Sequence, residues 1–230
     1  MSLLLNPQGL EAVGSNFDIA SMLEVRNMTR DAVNAMGAAM HPGMREDEAT
    51  EIGKDVLADK GLLRGWHDVV IRFGRNTVKN YGEPSEPDTV LGENDIYMID
   101  IGPVWKNWEG DCGDTFVTGS QKNDYARCAE DARGVFHAVR KHWLNTGATG
   151  QDLYAFATAE TRRRGWELNL NLAGHRLSDF PHAAAYEGLL SSIDFKPQPL
   201  LWVLEIHIRH PDMLYGAFYE DMLLDDSYFS

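Results

Sequence analysis

The sequence predicts an α+β fold, on three observations. Long segments carry helical spacing, apolar strands come in pairs joined by short connections, and helices alternate with these hairpins rather than with single parallel strands. Residues 16–40, NFDIASMLEVRNMTRDAVNAMGAAM, have apolar positions at helical intervals until HPGM breaks the pattern. REDEATEIGKDVLADKG makes a second helix, with Gly61 as its C-cap. From His67 to about Thr77 the chain, HDVVIRFGRNT, is extended, and residues 80–95, NYGEPSEPDTVLGEND, form a loop rich in turn formers. Two strands then flank the Trp105–Trp108 connection. Residues 121–146 and 150–164 return to helical spacing, separated by TGATG. NLNLAGH is a strand entering a loop, and LLWVLEIHI and FYEDMLL are apolar strands around a connection containing RHPDMLYG. No repeat, low-complexity tract or Pro/Gly-rich linker divides the chain, so residues 1–230 are expected to form one domain.

Composition narrows the partners. With 35 acidic and 21 basic residues the formal charge is −14, which argues against nucleic acid or an anionic membrane as the main partner. An acidic balance is compatible with bound cations, although a solvated acidic surface is its commoner cause. Two cysteines, Cys112 and Cys128, are too few for a disulfide framework. The N-terminus, MSLLLNPQGL, lacks the basic and long apolar regions of a signal peptide, and no apolar run reaches the length of a membrane span. A soluble, cytoplasmic protein is therefore expected.

The chemistry is concentrated in two hairpins. IYMIDIGPVWKNWEGDCGDTF, residues 96–116, carries Asp100 inside an apolar strand and Asp111 one turn later. A buried, unpaired carboxylate is costly, so something should offset both. A two- or four-residue turn centred on Lys106–Asn107 makes Trp105 face Trp108 and Gly102 face Asp111. Asp100 then lies diagonally across from Asp111 on the same face, at about 7–8 Å between backbones. An odd loop would place them on opposite faces. Pairing about Asp212–Met213 likewise puts Glu205 directly opposite Glu220. Like charges in that position destabilise a sheet unless something positive stands between them or one side chain points to solvent. AGHRLSDFPH adds His175 at a strand end and His182 seven residues on, although a lone His there is more often a satisfied structural residue than a ligand. Four inward carboxylates with one imidazole would hold two divalent cations about 3.5–4 Å apart. The cations in turn offset charges that could not be buried together.

These motifs resemble the pita-bread metallopeptidases: Asp100–Ile–Gly, Asp111 eleven positions on, Gly174–His175 with His182 seven further, then Glu205 and Glu220. The family comprises methionine aminopeptidases, Xaa-Pro aminopeptidases and Xaa-Pro dipeptidases. WHDVVIRFGRNT is similar to a stretch of its proline-directed members. The resemblance implies a curved antiparallel sheet with helices on its outer face, in one catalytic domain without the N-terminal domain of larger relatives. It implies two divalent metal ions, Mn, Co, Fe or Zn, held by Asp100, Asp111, His175, Glu205 and Glu220, with Asp111 and Glu220 bridging. A water of lowered pKa would attack the N-terminal peptide bond of a short peptide with a free N-terminus. Glu205 would shuttle its proton, and His182 would hydrogen-bond the substrate carbonyl or oxyanion. Xaa-Pro is the expected substrate, methionine removal the alternative, and a homodimer is compatible with the reading.

The sequence also departs from the family. KNYGEPSEPD contains no His where a loop His is usual; His67 is one candidate for its role by composition, a purely structural role for His67 being the alternative. RLSDFP replaces a Gly-rich stretch, and Glu205–Ile–His207, with His210 close behind, replaces the usual Glu–Pro. Two other readings are a non-hydrolytic pita-bread binding protein and a creatinase-like hydrolase of another C–N bond. Both sit poorly with five retained ligands.

Overall fold

The computed structural model describes residues 9–119 and 123–229. Residues 1–8, read above as no signal peptide, and the helix start expected at residue 121 lie outside them. Helix α1 (Ile19–Ala39) begins where Asp18 accepts from the Ser21 N–H, and it ends at the HPGM break. At the start of α2 (Glu46–Asp59) the Glu48 carboxylate accepts from the Arg45 N–H at 3.0 Å, and Gly61 follows its end at φ 74°. Gly147, at φ 70°, stops α3 (Asp124–Thr146), and the Thr149 hydroxyl opens α4 (Gly150–Arg163) by accepting from the Asp152 N–H.

The strands are β1 (Val70–Phe73), β2 (Ile96–Ile101), β3 (Val104–Trp105), β4 (Trp108–Glu109) and β5 (Cys112–Val117). They continue as β6 (Glu167–Leu168), β7 (His175–Arg176), β8 (Trp202–Arg209) and β9 (Gly216–Met222). Among the described residues seven of them form one antiparallel sheet in the order β1-β2-β5-β9-β8-β6, with β7 also on β8. This is the α+β arrangement expected.

Both hairpins have the expected register. Lys106 and Asn107 take φ 50° and 73°, the left-handed pair that a two-residue hairpin turn requires. Trp105 therefore faces Trp108, and the register continues through Ile101 opposite Cys112 to Asp100 opposite Gly113. Glu205 faces Glu220.

Two segments differ from expectation. HDVVIRFGRNT is a strand only over Val70–Phe73; Gly74 at φ 49° turns it into a 3-10 helix, closed by the Thr77 hydroxyl donating to the Gly74 carbonyl. NLNLAGH is not a strand. Asn169 N–H already donates to the His207 carbonyl, and Gly174 at φ 70° turns the chain before His175 joins β8.

Strand alternation divides the sheet into two faces. Ile99 and Ile101 pack with Met36 and Ala49 of α1 and α2, and Leu204, Ile206 and Ile208 pack with Val135 and Leu153 of α3 and α4. Asp100, Glu205 and Glu220, at alternate positions, belong to the face away from these helices. From the helix side, Arg30 donates to the carbonyls of Gly113 and Glu220, and Arg26 pairs with Asp221. One turn of α1 thus ties β5 to β9 directly behind the carboxylates.

Candidate metal centre

The carboxylates occupy one row across the sheet. Asp100 on β2 faces Gly113 on β5, Gly113 faces Glu220 on β9, and Glu220 faces Glu205 on β8. Facing residues in such a ladder stand about 4.5–5.5 Å apart. Asp111, two residues before Gly113, shares that face. Glycine is needed in the row, because a Cβ at Gly113 would stand 2.5 Å from the Phe218 ring and 3.0 Å from Glu220 Oε1. Gly113→Ala is therefore expected to cost about 1–3 kcal/mol by overpacking and to weaken metal binding, measured by denaturant melts with and without metal.

Asp100, Asp111, His175, Glu205 and Glu220 all line one cavity of about 390 Å³, together with His67, Trp66 and Tyr81. Two groups of donor atoms overlap within it. His67, Asp100 and Asp111 form one, and Asp111, His175 and Glu220 the other; within each, the donors lie within 4.8 Å of one another. Asp111 belongs to both. His175 Nε2 is 2.9 Å from Asp111 Oδ2, and His67 Nε2 is 3.7 Å from Asp111 Oδ1. Both Asp111 oxygens and Glu220 Oε1 are buried without a hydrogen bond. Glu205 stands apart from both groups: its Oε2 accepts from the Gly174 N–H at 2.7 Å, and the Tyr154 hydroxyl donates to its carbonyl.

His182 lies beside these groups rather than in the cavity wall. Its ring is 5.3 Å from that of His175, and its Nδ1 is 3.0 Å from Glu109 Oε2. The other Glu109 oxygen accepts from the His182 N–H at 2.8 Å. Trp66 touches all three imidazoles edge-on, with ring centroids 4.4 Å from His67, 5.1 Å from His175 and 4.7 Å from His182. Sequence reasoning did not find Glu109, although its position two residues before Asp111 on the same strand path was a usable signal. His67 was read as a candidate for the missing loop His or as a structural residue, and the structure places it among the carboxylates.

Electrostatics follow from burial. Burial pushes Glu220 well above the carboxylate range, and the Asp111 and Asp100 charges add to this. Burial also raises Asp100, opposed by His67, and carries Glu205 to about 7. Burial acts on Asp111 in the same direction, but His175 and His67 outweigh it and hold the group at about 2. The two imidazoles are lowered by burial yet raised more by carboxylates, His67 by Asp100 and Asp111 and His175 by Asp111 and Glu205, to about 9 each. The raised carboxylates and imidazoles retain protons that divalent cations would displace, and four carboxylates with two neutral imidazoles make a donor set suited to such cations.

His207 has a different task. Its Nε2–H donates to the Thr77 carbonyl at 2.7 Å and its Nδ1 accepts from the Asn169 amide at 3.0 Å, so the neutral ring is fully satisfied. Burial and Arg209 push its pKa from 6.5 down to about 3. Between those values the unfolded chain binds more protons than the folded one. Stability from this residue is full above pH 6.5 and falls with acidification, by up to about 1.4 kcal/mol per pH unit. The stability gap between wild type and His207→Gln, from urea melts with chelator present, should narrow from pH 7 to about pH 5.

Residues 20–224 match the metallopeptidase family M24. The chain belongs to metallopeptidase family M24. No curated protein matches it in sequence. Among solved structures, it is similar to an X-Pro aminopeptidase from Thermotoga maritima, with 17% identity and a TM-score of 0.72 over 93% of this chain and 62% of that one. A prolidase from Pyrococcus horikoshii gives 19% identity and 0.73 over 91% and 59%. A methionine aminopeptidase from Rickettsia prowazekii gives 12% and 0.69 over 92% and 94%. This M24 chain thus spans about 60% of the length of the first two structures and nearly all of the third. At these identities the likeness establishes the shared pita-bread fold. Among the described residues, no helix is long and apolar enough to cross a membrane.

Proposed function

We propose that this M24 protein is an exopeptidase that uses two divalent cations to hydrolyse the N-terminal peptide bond of short peptides, with Xaa-Pro preferred. The observation that carries the reading is the pair of donor groups sharing Asp111, whose two buried oxygens have no hydrogen bond. A residue between two cations needs two free oxygens, and Asp111 offers them. Asp100 would hold one cation, His175 and Glu205 the other, with Asp111 and Glu220 between them. Bound cations would supply Lewis acidity toward a carbonyl and lower the pKa of water.

The chain's own residues do the rest. Glu205, pushed by burial to about 7, is suited to carry a proton from water to the leaving amine. Glu109 holds the His182 segment by accepting from its backbone N–H and lies 3.0 Å from its Nδ1, and from its place beside the cavity the ring would turn Nε2 toward a substrate oxygen. Trp66, Tyr81, Leu172 and Leu189 give the cavity flat apolar walls, in a volume that suits a dipeptide rather than a folded chain. WHDVVIRFGRNT supports the proline preference and also builds the wall: Arg72 donates to the carbonyls of Asn80 and Glu83, holding the loop that carries Tyr81. The names of the Thermotoga and Pyrococcus structures point the same way. Methionine removal is the second reading, favoured by the near-complete coverage of the Rickettsia enzyme.

The shared sheet supports one catalytic domain, and the two buried free cysteines are compatible with the reducing cytoplasm. Rates on Ala-Pro and Met-Ala peptides with Mn or Co supplied test the proposal. Faster cleavage of Ala-Pro is expected. Cleavage of Met-Ala alone would reverse the preference, and cleavage of neither with both metals bound would favour the non-hydrolytic alternative.

A further inference from the structure

We infer that His67 is a sixth protein ligand of the metal pair, giving the Asp100 side an imidazole of its own. The inference rests on the metal-centre reading above. Its Nε2 is 3.4 Å from Asp100 Oδ1 and 3.7 Å from Asp111 Oδ1. Donors that share one ion through bonds of about 2.0–2.2 Å stand roughly 3–3.5 Å apart, so the Asp100 contact fits a common ion and the Asp111 contact needs only a small closure.

Orientation supports the same conclusion. The Nδ1 of His67 faces the carbonyl of the next residue, Asp68, at 2.7 Å, as the Nδ1 of His175 faces that of Arg176 at 2.6 Å. Each contact places the hydrogen on Nδ1 and leaves Nε2 for the cavity, which is the arrangement that fixes a ligating imidazole. His67 then turns toward Asp111 Oδ1 and His175 toward Asp111 Oδ2. The two imidazoles are mirror counterparts about one carboxylate. A structural His would need one carboxylate partner, whereas this ring faces two, both already short of positive charge.

Hydrogen bonds of the segment before it hold His67 in place. Val104 N–H donates to the Arg64 carbonyl, Trp66 N–H to that of Gly102, and Trp66 Nε1–H to that of Gly110, each within 3.1 Å. Gly102 makes the fit feasible: a Cβ there would overlap the His67 ring and lie 2.6 Å from Trp66 Nε1. The glycine of the Asp–Ile–Gly sequence is thus the space into which His67 fits.

An imidazole on each side brings consequences for metal choice. Imidazole suits Co, Ni and Zn better than Mn, so His67 should shift the Asp100 side toward the later ions. The test loads chelator-treated protein with Co(II) and measures stoichiometry, affinity and the X-ray absorption fine structure. Wild type should bind two cobalt ions with two imidazoles per pair. His67→Ala should keep the His175 side, weaken the second ion by at least about 10-fold, and show one imidazole per pair. Two ions with unchanged affinity and imidazole count in His67→Ala would overturn the inference and leave the metal centre standing. Wild type that binds no cobalt would overturn both. If circular dichroism shows His67→Ala unfolded, the same measurements on His67→Gln decide, because that side chain keeps a donor for the Asp68 carbonyl.

Discussion

Asp111→Asn is expected to abolish binding of both cations together, not of one. Asp111 is the residue common to the two donor groups, and its oxygens face one imidazole each. Losing an outer partner of a metal ligand already costs about 10–100-fold in affinity, and a direct ligand shared by two ions costs more. Titration calorimetry with Mn or Co should go from two ions to none in the accessible range. The metal-free variant carries a second signature. His67 and His175 stand at about 9 in part because of the Asp111 charge, so an amide there lets both fall, by less for His67, which keeps Asp100. NMR titration of the imidazole resonances measures this. Unchanged imidazole titration and retained metal would place Asp111 outside the centre.

Glu205→Gln should keep much of the metal and lose turnover by roughly 100-fold or more, because an amide cannot relay protons. Geometry supports the separation of the two effects. Glu205 lies outside both compact donor groups, with Oε2 held by the Gly174 N–H, while Glu220 directly opposite remains in the second group. A variant with near wild-type turnover on its best peptide would remove Glu205 from the proton path. A variant that lost both metals would make it chiefly a ligand.

Much of the site was legible because parity is a local property. The two-residue turn at Lys106–Asn107 fixes which residues of the hairpin share a face, and the same holds for Glu205 and Glu220. The joining of the hairpins was not legible. It runs through the single pairing of Gly113 with Glu220, 107 positions apart, and no local pattern encodes such a contact. His67 was legible as a candidate for the missing loop His, but its placement among the carboxylates was not, for a related reason. It reaches Asp100 because β1 pairs with β2 and because residues 64–66 hydrogen-bond to the strand path after Asp100, both long-range events. NLNLAGH looked like a strand because Leu170 and Leu172 alternate with Asn, but two of its N–H groups donate to side chains, Asn171 N–H to Asn169 Oδ1 and Gly174 N–H to Glu205 Oε2, and Gly174 turns the chain. Extended reading of HDVVIRFGRNT failed at Gly74, where backbone freedom allowed a turn that apolar spacing does not reveal.

One carboxylate row and two opposed imidazoles are proposed to hold a pair of cations. Anomalous diffraction at the absorption edge of bound cobalt or manganese would locate both cations. Two peaks about 3.5–4 Å apart are expected. One should lie among His67, Asp100 and Asp111, the other among Asp111, His175 and Glu220. No peak in this cavity at saturating metal, or a peak only elsewhere on the molecule, would contradict the proposal.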